Sequence, residues 1–348
     1  MKLHRPTPLL HSDAEPIDGD TAPQAAAHRL KDGASLLITD HYRTGVNVLA
    51  ALGAVLGRPA AAASFAERSD FNRRFQVASQ GLLVPIDGHQ VQLIDAGPPG
   101  FLPELYPEGS RFMLPLVEVQ ALHGAWLRYQ EGTLLAVLGH RVHAFYGTYA
   151  PTRTSHLELF ATWLSQYEGA RTRVVDVGTG CGVLALMLAK VGFSRVVATD
   201  NNPNAIESVR RQLVRMSEPP TIELICTDLL GEDTTPSELI VFNPPWIRGD
   251  VDDLLDQALY FEEGLFERFF EQASERLIKG GRLVLLFSNV IGLLQPDEPH
   301  PIETELQRGR FQLVTKLSRK VKPTPDKDGR RRRTREKVEV WELALAEQ

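Results

Sequence analysis

From residue 173 onward, short apolar runs alternate with stretches of helical period. The runs are "RVVDVG" (173–178), "RVVATD" (195–200), "IELICTD" (222–228), "ELIVFN" (238–243) and "RLVLLFSN" (282–289). They are nearly continuous in hydrophobicity, which predicts strands of a parallel sheet covered on both faces. The intervening helices carry their own signals. "VLALMLAKVG" is predicted to stop at Gly192. "NPNAIESVRRQLVRM" starts with Asn202 as cap and Pro203 at the first helical position, and sets Ile206, Val209 and Leu213 on one face. "GLFERFFEQASERLIKGG" places Phe266, Phe269, Phe270, Ala273 and Leu277 on one stripe and is predicted to end at Gly280-Gly281. Two later segments, "FQLVTKLSRKVK" and "KVEVWELALA", predict long strands joined by a loop, a closing antiparallel hairpin.

The first half is less regular. Residues 1–25 are rich in Pro, Asp and Thr and read as a flexible tail. Residues 26–145 read as a smaller mixed α/β domain, and residues 146–348 as a second, larger one. Within the smaller domain "TGVNVLAALGAVLG" and "LVEVQALHGAWLRYQ" have helical period. "GLLVPIDGHQVQLID" predicts a hairpin around Asp87-Gly88, and "PPGFLPELYPEG" a loop. No chemical motif emerges there, although its position suggests substrate recognition.

Composition narrows the chemistry. A length of 348 residues suits two domains, and 43% hydrophobic with 24% charged residues is the balance of a globular protein. A net charge of −6 confines any nucleic-acid contact to a local basic patch. The two cysteines, Cys181 and Cys226, exclude a disulfide framework and a cysteine-rich zinc site. His140 and His143 lack a third ligand beside them, so no metal is expected. No apolar run reaches the roughly 20 residues of a membrane span. The N-terminus has no signal-peptide core, and a soluble, cytoplasmic protein without membrane contact is the expectation.

The chemistry-bearing residues gather at strand ends. "VVDVGTGCGVLAL" sets Asp176, Gly178, Gly180 and Gly182 between a strand and its helix. Glycine lets the chain turn sharply and bring backbone against a ligand. The spacing is G-x-G-x-G. A dinucleotide pattern puts its third glycine one place later, where the helix packs under a pyrophosphate. A ligand without phosphates does not require that arrangement. Asp200 closes the second strand, where a carboxylate can hold ribose hydroxyls. Asp228 closes the third and could accept from an adenine amino group, with Leu229 packed on the ring. The bland alternative makes both acids turn caps.

Taken together, "VVDVGTGCG", "ATDNNPNAIESV", "TDLL" and "VFNPPW" resemble the class I S-adenosylmethionine-dependent methyltransferases. They are most similar to the group of release-factor glutamine methyltransferases and small-domain ribosomal-RNA guanine methyltransferases. The resemblance covers roughly residues 147–348 and implies a Rossmann-like seven-stranded sheet with a terminal antiparallel hairpin. It implies S-adenosyl-L-methionine as cofactor, lined by Asp176, Gly178, Thr179, Gly180, Gly182, Asp200, Asn201, Asp228, Leu229 and Asn243. "YGTYAPTRTS" resembles the stretch crossing near the site in these enzymes, so Thr152, Arg153 and Thr154 are candidates for cofactor or substrate contact; an interdomain loop is the alternative.

The segment Asn243-Pro244-Pro245-Trp246 is the candidate catalytic corner. Residues before proline are pushed toward extended geometry, and the two prolines remove two donors. A stiff corner presenting the Asn243 side-chain oxygen and the Pro244 carbonyl results. Such a pair can grip both hydrogens of a planar –NH2 and aim its nitrogen at a sulfonium methyl. Trp246 offers a flat face for stacking, where the resembling families usually carry Tyr or Phe. Arg248 is open to two readings, a substrate contact or a solvated loop residue.

The acceptor stays open among a protein glutamine amide, a nucleobase amine in RNA and a small molecule of specialised metabolism. The basic loop Lys322–Lys337 could meet phosphate or another acidic partner, or be a solvated hairpin tip. An inactive methyltransferase-like partner subunit is a further alternative, which the intact glycine turn, acid and corner disfavour.

Overall fold

The computed structural model describes residues 2–60, 63–249, 258–321 and 335–346. The chain forms two compact units, Leu3–Arg128 and a second one comprising Tyr129–Gln348 with the first two residues. The predicted boundary at 145/146 is therefore corrected to 128/129. The reason is that residues 141–147 are hydrogen-bonded to a helix of the second unit, as detailed below.

In the smaller unit Glu15–Ile17, Leu36–Ile38 and Leu82–Asp87 lie parallel in that order. Phe112–Pro115 adds antiparallel to Leu82–Asp87. The flexible tail is also corrected, because Glu15–Ile17 is a strand and Ile17 is only 2% exposed. Its "EPI" is too short, and too polar on one side, to show a period. Helices Tyr42–Val55 and Leu116–Glu131 form where the periodicity placed them. Asp87 pairs with Gln90 across Gly88-His89, both with positive φ, which is the predicted hairpin.

The larger unit is built on seven strands: β1 (Arg173–Val177), β2 (Arg195–Asp200), β3 (Ile222–Cys226), β4 (Ser237–Phe242), β5 (Leu277–Ser288), β6 (Phe311–Lys320) and β7 (Lys337–Leu345). Their order is β3-β2-β1-β4-β5-β7-β6. Neighbours among β1 to β5 run parallel, whereas β7 is antiparallel to both β5 and β6. The sheet thus has the seven-stranded layout that the resemblance implied, with the closing hairpin threaded so that its second strand lies inside. The order reverses direction between β1 and β4. In open α/β sheets that switch point, at the carboxyl ends of the strands, is where a ligand crevice forms.

Helices α1 (Ser155–Ser165), α2 (Val183–Lys190), α3 (Pro203–Arg215) and α4 (Leu265–Arg276) belong to this unit. Two apolar cores result, one including Phe160, Trp163, Leu186 and Val241, the other Phe269, Phe270, Phe287 and Trp341. One helix end departs from expectation. α4 stops at Arg276, and Leu277 already pairs with Ser237 in the sheet. The pairing then skips to Leu239 with Arg282, and Gly280 has a φ of +81°. Gly280-Gly281 therefore serves a sheet irregularity instead of a helix cap. Among the described residues no helix is long and apolar enough to cross a membrane. Residues 322–334 of the basic loop lie outside the described residues.

Candidate active site

The glycine turn leaves the central strand β1 and enters α2. Gly178, Gly180 and Gly182 all have positive φ, at 61°, 55° and 83°. Side chains are disfavoured in that region, and at Gly182 a Cβ would also meet Val209 at 2.9 Å. At Gly180 a Cβ would meet nothing within 4 Å, so the turn leaves open space above its backbone.

Asp176 fixes the turn from beneath. One of its carboxylate oxygens accepts from Thr179 Oγ1 at 2.6 Å and from the Ala185 N–H at 3.0 Å. The other is buried with no partner. Burial pushes the carboxyl up to about 7, against the pull of those two donors. Asp200 crosses from β2 to the same turn. It accepts from the Gly180 N–H and from the Asn202 N–H, each at 2.8 Å. Burial raises it too, to about 6. Asp176, Thr179, the glycines and Asp200 are thus brought together, as the motif predicted.

The third-strand residues depart from the expected contacts. Asp228 is exposed and lies 3.7 Å from the Arg268 guanidinium. Leu229 has a φ of +49°, its carbonyl accepts from Thr199 Oγ1 at 2.7 Å, and its side chain is buried in the core with Phe266 and Phe269. The left-handed backbone turns the leucine inward, which corrects the idea of a free ring-packing surface. Asn201 is exposed at the rim.

The corner follows β4, which lies between β1 and β5. Phe242 pairs with Val177 on one side and Leu285 on the other. Asn243, the next residue, is therefore level with Gly178 across the switch point. Its Oδ1 is buried and has no hydrogen-bond partner. Among the described residues no donor reaches the Pro244 carbonyl either. The Asn243 acceptor is thus buried and unpaired beside the glycine turn, and the Pro244 carbonyl is left without a protein donor among the described residues. An unpaired buried oxygen costs on the order of 1–3 kcal/mol, so native proteins rarely keep one without a purpose.

Trp246 departs from its expected role. Its indole N–H donates to the Leu286 carbonyl at 3.2 Å, and its ring packs against both cores. It meets His156 edge to face, 5.4 Å between centroids at 89°. The ring is a bolt holding the corner to β5, which corrects the picture of an open stacking platform. Arg248 is likewise engaged, with Glu298 at 2.8 Å and Glu263 at 3.1 Å. Gln295 accepts from its N–H at 3.0 Å and donates to its carbonyl at 2.8 Å. The corner is pinned on its exit side.

Of Thr152, Arg153 and Thr154, the last two are engaged by protein partners. Arg153 donates to Glu336 at 3.2 Å, and Thr154 Oγ1 donates to Glu158 at 2.9 Å. A polar residue that neighbours a site in sequence can thus spend its side chain on the protein's own fold, near in sequence for Thr154 and far for Arg153.

Two features escaped the sequence reading. His156 on α1 is 5% exposed, and burial lowers its imidazole to about 4, so it is neutral. The second is a buried polar ridge on α3. Asn204 and Gln212 donate to the Tyr146 and Arg141 carbonyls at 2.9 and 3.1 Å. Gln212 and Ser208 accept from the His143 and Phe145 N–H groups at 3.0 and 3.1 Å. Asn202 donates to the Gly147 carbonyl at 2.8 Å. Residues 141–147 are laced to the helix. The signal was present, since Asn204, Ser208 and Gln212 recur every fourth residue beside the apolar stripe.

Comparison with known proteins agrees with the geometry. Residues 155–298 match the family model "methyltransferase small domain". A putative protein N5-glutamine methyltransferase of Methanocaldococcus jannaschii is 28% identical over 126 residues, covering 34% of this chain and 63% of the relative. A ribosomal RNA small subunit methyltransferase C of Chromohalobacter salexigens is 30% identical over 195 residues, 55% of this chain and 50% of the relative. The chain therefore spans less than two thirds of the curated relatives it matches here. Among solved structures, a ribosomal protein L11 methylase of Lactobacillus delbrueckii subsp. bulgaricus aligns with a TM-score of 0.41 at 19% identity, over 57% of this chain and 82% of that one.

Proposed function

From the match of residues 155–298 to the methyltransferase small domain model and the site described above, we propose that the chain is an S-adenosylmethionine-dependent N-methyltransferase acting on a planar amino nitrogen. The site residues fit that cofactor. The turn leaves open space at Gly180, Asp176 holds a buried unpaired oxygen, and Asp200 stands at the strand end suited to ribose hydroxyls. When bound, the cofactor supplies an electrophilic methyl group on a cationic sulfur.

The observation that carries the proposal is the buried, unpartnered Asn243 Oδ1 next to the glycine turn. Amide and aromatic amines are poor nucleophiles because their lone pair is delocalised. Asn243 Oδ1 and the Pro244 carbonyl accept the two N–H groups, hold the plane of the acceptor and favour the positive charge that grows on nitrogen. A strong base is not needed for this, and the proton leaves after transfer. Two prolines, the Trp246 bolt and the Arg248 clip keep the acceptors preorganised.

A macromolecular acceptor, either a protein glutamine amide or an RNA base, is supported by the acceptors named for the relatives. Incubating the protein with methyl-labelled S-adenosylmethionine and cell extract tests this. Label is expected in the protein or RNA fraction. Label confined to metabolites would replace the acceptor class with a small molecule, and no label in any fraction would contradict the methyltransferase reading.

A further inference from the structure

The laced segment ends at Gly147, and the next residue has an unexplained side chain. Thr148 is 8% exposed, and its hydroxyl is buried with no hydrogen-bond partner. Its neighbour locates it. The Gly147 carbonyl accepts from Asn202, whose own N–H donates to Asp200. Thr148 thus follows directly on a residue tied to the Asp200 turn of the cofactor site.

The backbone that carries this hydroxyl is held in place. Its N–H is tied to the Phe145 carbonyl at 3.1 Å, and residues 141–147 are held by the α3 ridge. Buried hydroxyls in native proteins nearly always find a partner. A threonine is also a poor choice for pure filling, because valine has the same shape without the desolvation cost.

Resting on the methyl-donor reading above, we propose that the Thr148 hydroxyl is a cofactor-binding group that hydrogen-bonds an oxygen of S-adenosylmethionine. It takes the place expected of Thr152, Arg153 and Thr154, of which Arg153 and Thr154 are bonded to Glu336 and Glu158.

Calorimetric titration of the full chain with S-adenosylhomocysteine tests this without requiring turnover. Thr148→Val should weaken binding about tenfold, the loss expected for one buried hydrogen bond to a ligand. Thr148→Ser should stay within about threefold of the parent chain. Thermal unfolding of the ligand-free Thr148→Val protein should be unchanged or shifted upward, because an unpaired hydroxyl has been removed. A merely structural threonine would give the reverse pattern, a lower melting temperature and unaltered affinity. Parent-like affinity in Thr148→Val, or equal weakening in Thr148→Ser, overturns the assignment while leaving the methyltransferase reading intact. Failure of the parent chain to bind overturns both.

Discussion

Asp176 is the residue whose environment has the clearest consequence in solution. It sits in the middle of the sheet with one oxygen paired and one bare, and burial lifts its carboxyl from the usual value near 3.8 to about 7. Between those pH values the folded chain binds a proton that the unfolded chain has released. Stability contributed by this group therefore falls as pH rises through that window. Asp176→Asn removes the titration and keeps an acceptor for Thr179 and Ala185. Melting temperatures of the two proteins should diverge in favour of the asparagine variant from about pH 4 to about pH 7 and then run parallel. A constant offset across the range would contradict the assigned burial. At this scale the sequence was informative where a residue's type is dictated by backbone. The left-handed glycines and the Asn-Pro-Pro corner lie where the motifs put them. It was less informative for Trp246, Leu229 and Arg153, whose side-chain partners come from distant segments.

Elements were legible where hydrophobic period and length agreed. β1 to β5 and the closing hairpin occupy the apolar runs, and α3 starts at its Asn202 cap, whose side chain accepts from the Asn204 N–H at 3.0 Å. The misread end of α4 has a physical reason. Leu277 continues the helical stripe, yet the same residue satisfies a strand that must begin beside Ser237, and the sheet wins. The α3 ridge was missed because a polar residue on a buried face looks like a break in pattern until its backbone partners are known. Those partners make it a strong element. Gln212→Leu strands the His143 N–H and the Arg141 carbonyl. A loss of about 2–3 kcal/mol in denaturant unfolding is expected, with faster amide exchange at residues 141–147. A change below about 0.5 kcal/mol with unaltered exchange would show that the lacing carries little energy.

For the whole molecule, the strand order matters more than any single motif. By placing β4 next to β1, it sets the Asn-Pro-Pro corner level with the glycine turn, although 65 residues of chain separate Gly178 from Asn243. The alternation of strands and helices predicted a covered parallel sheet, while the order that joins β4 to β1 comes from the structure. Sequence reading missed the strand Glu15–Ile17 and the true boundary at Arg128, because both depend on pairing partners that composition does not reveal. The account rests on an unsatisfied acceptor at Asn243, and one comparison reaches it most directly. Asn243→Ala and the parent chain should bind S-adenosylhomocysteine within a few-fold of each other in calorimetry. Methyl transfer by the variant should fall about a hundredfold or more, as on loss of one preorganised transition-state contact. Full transfer by Asn243→Ala would contradict the account.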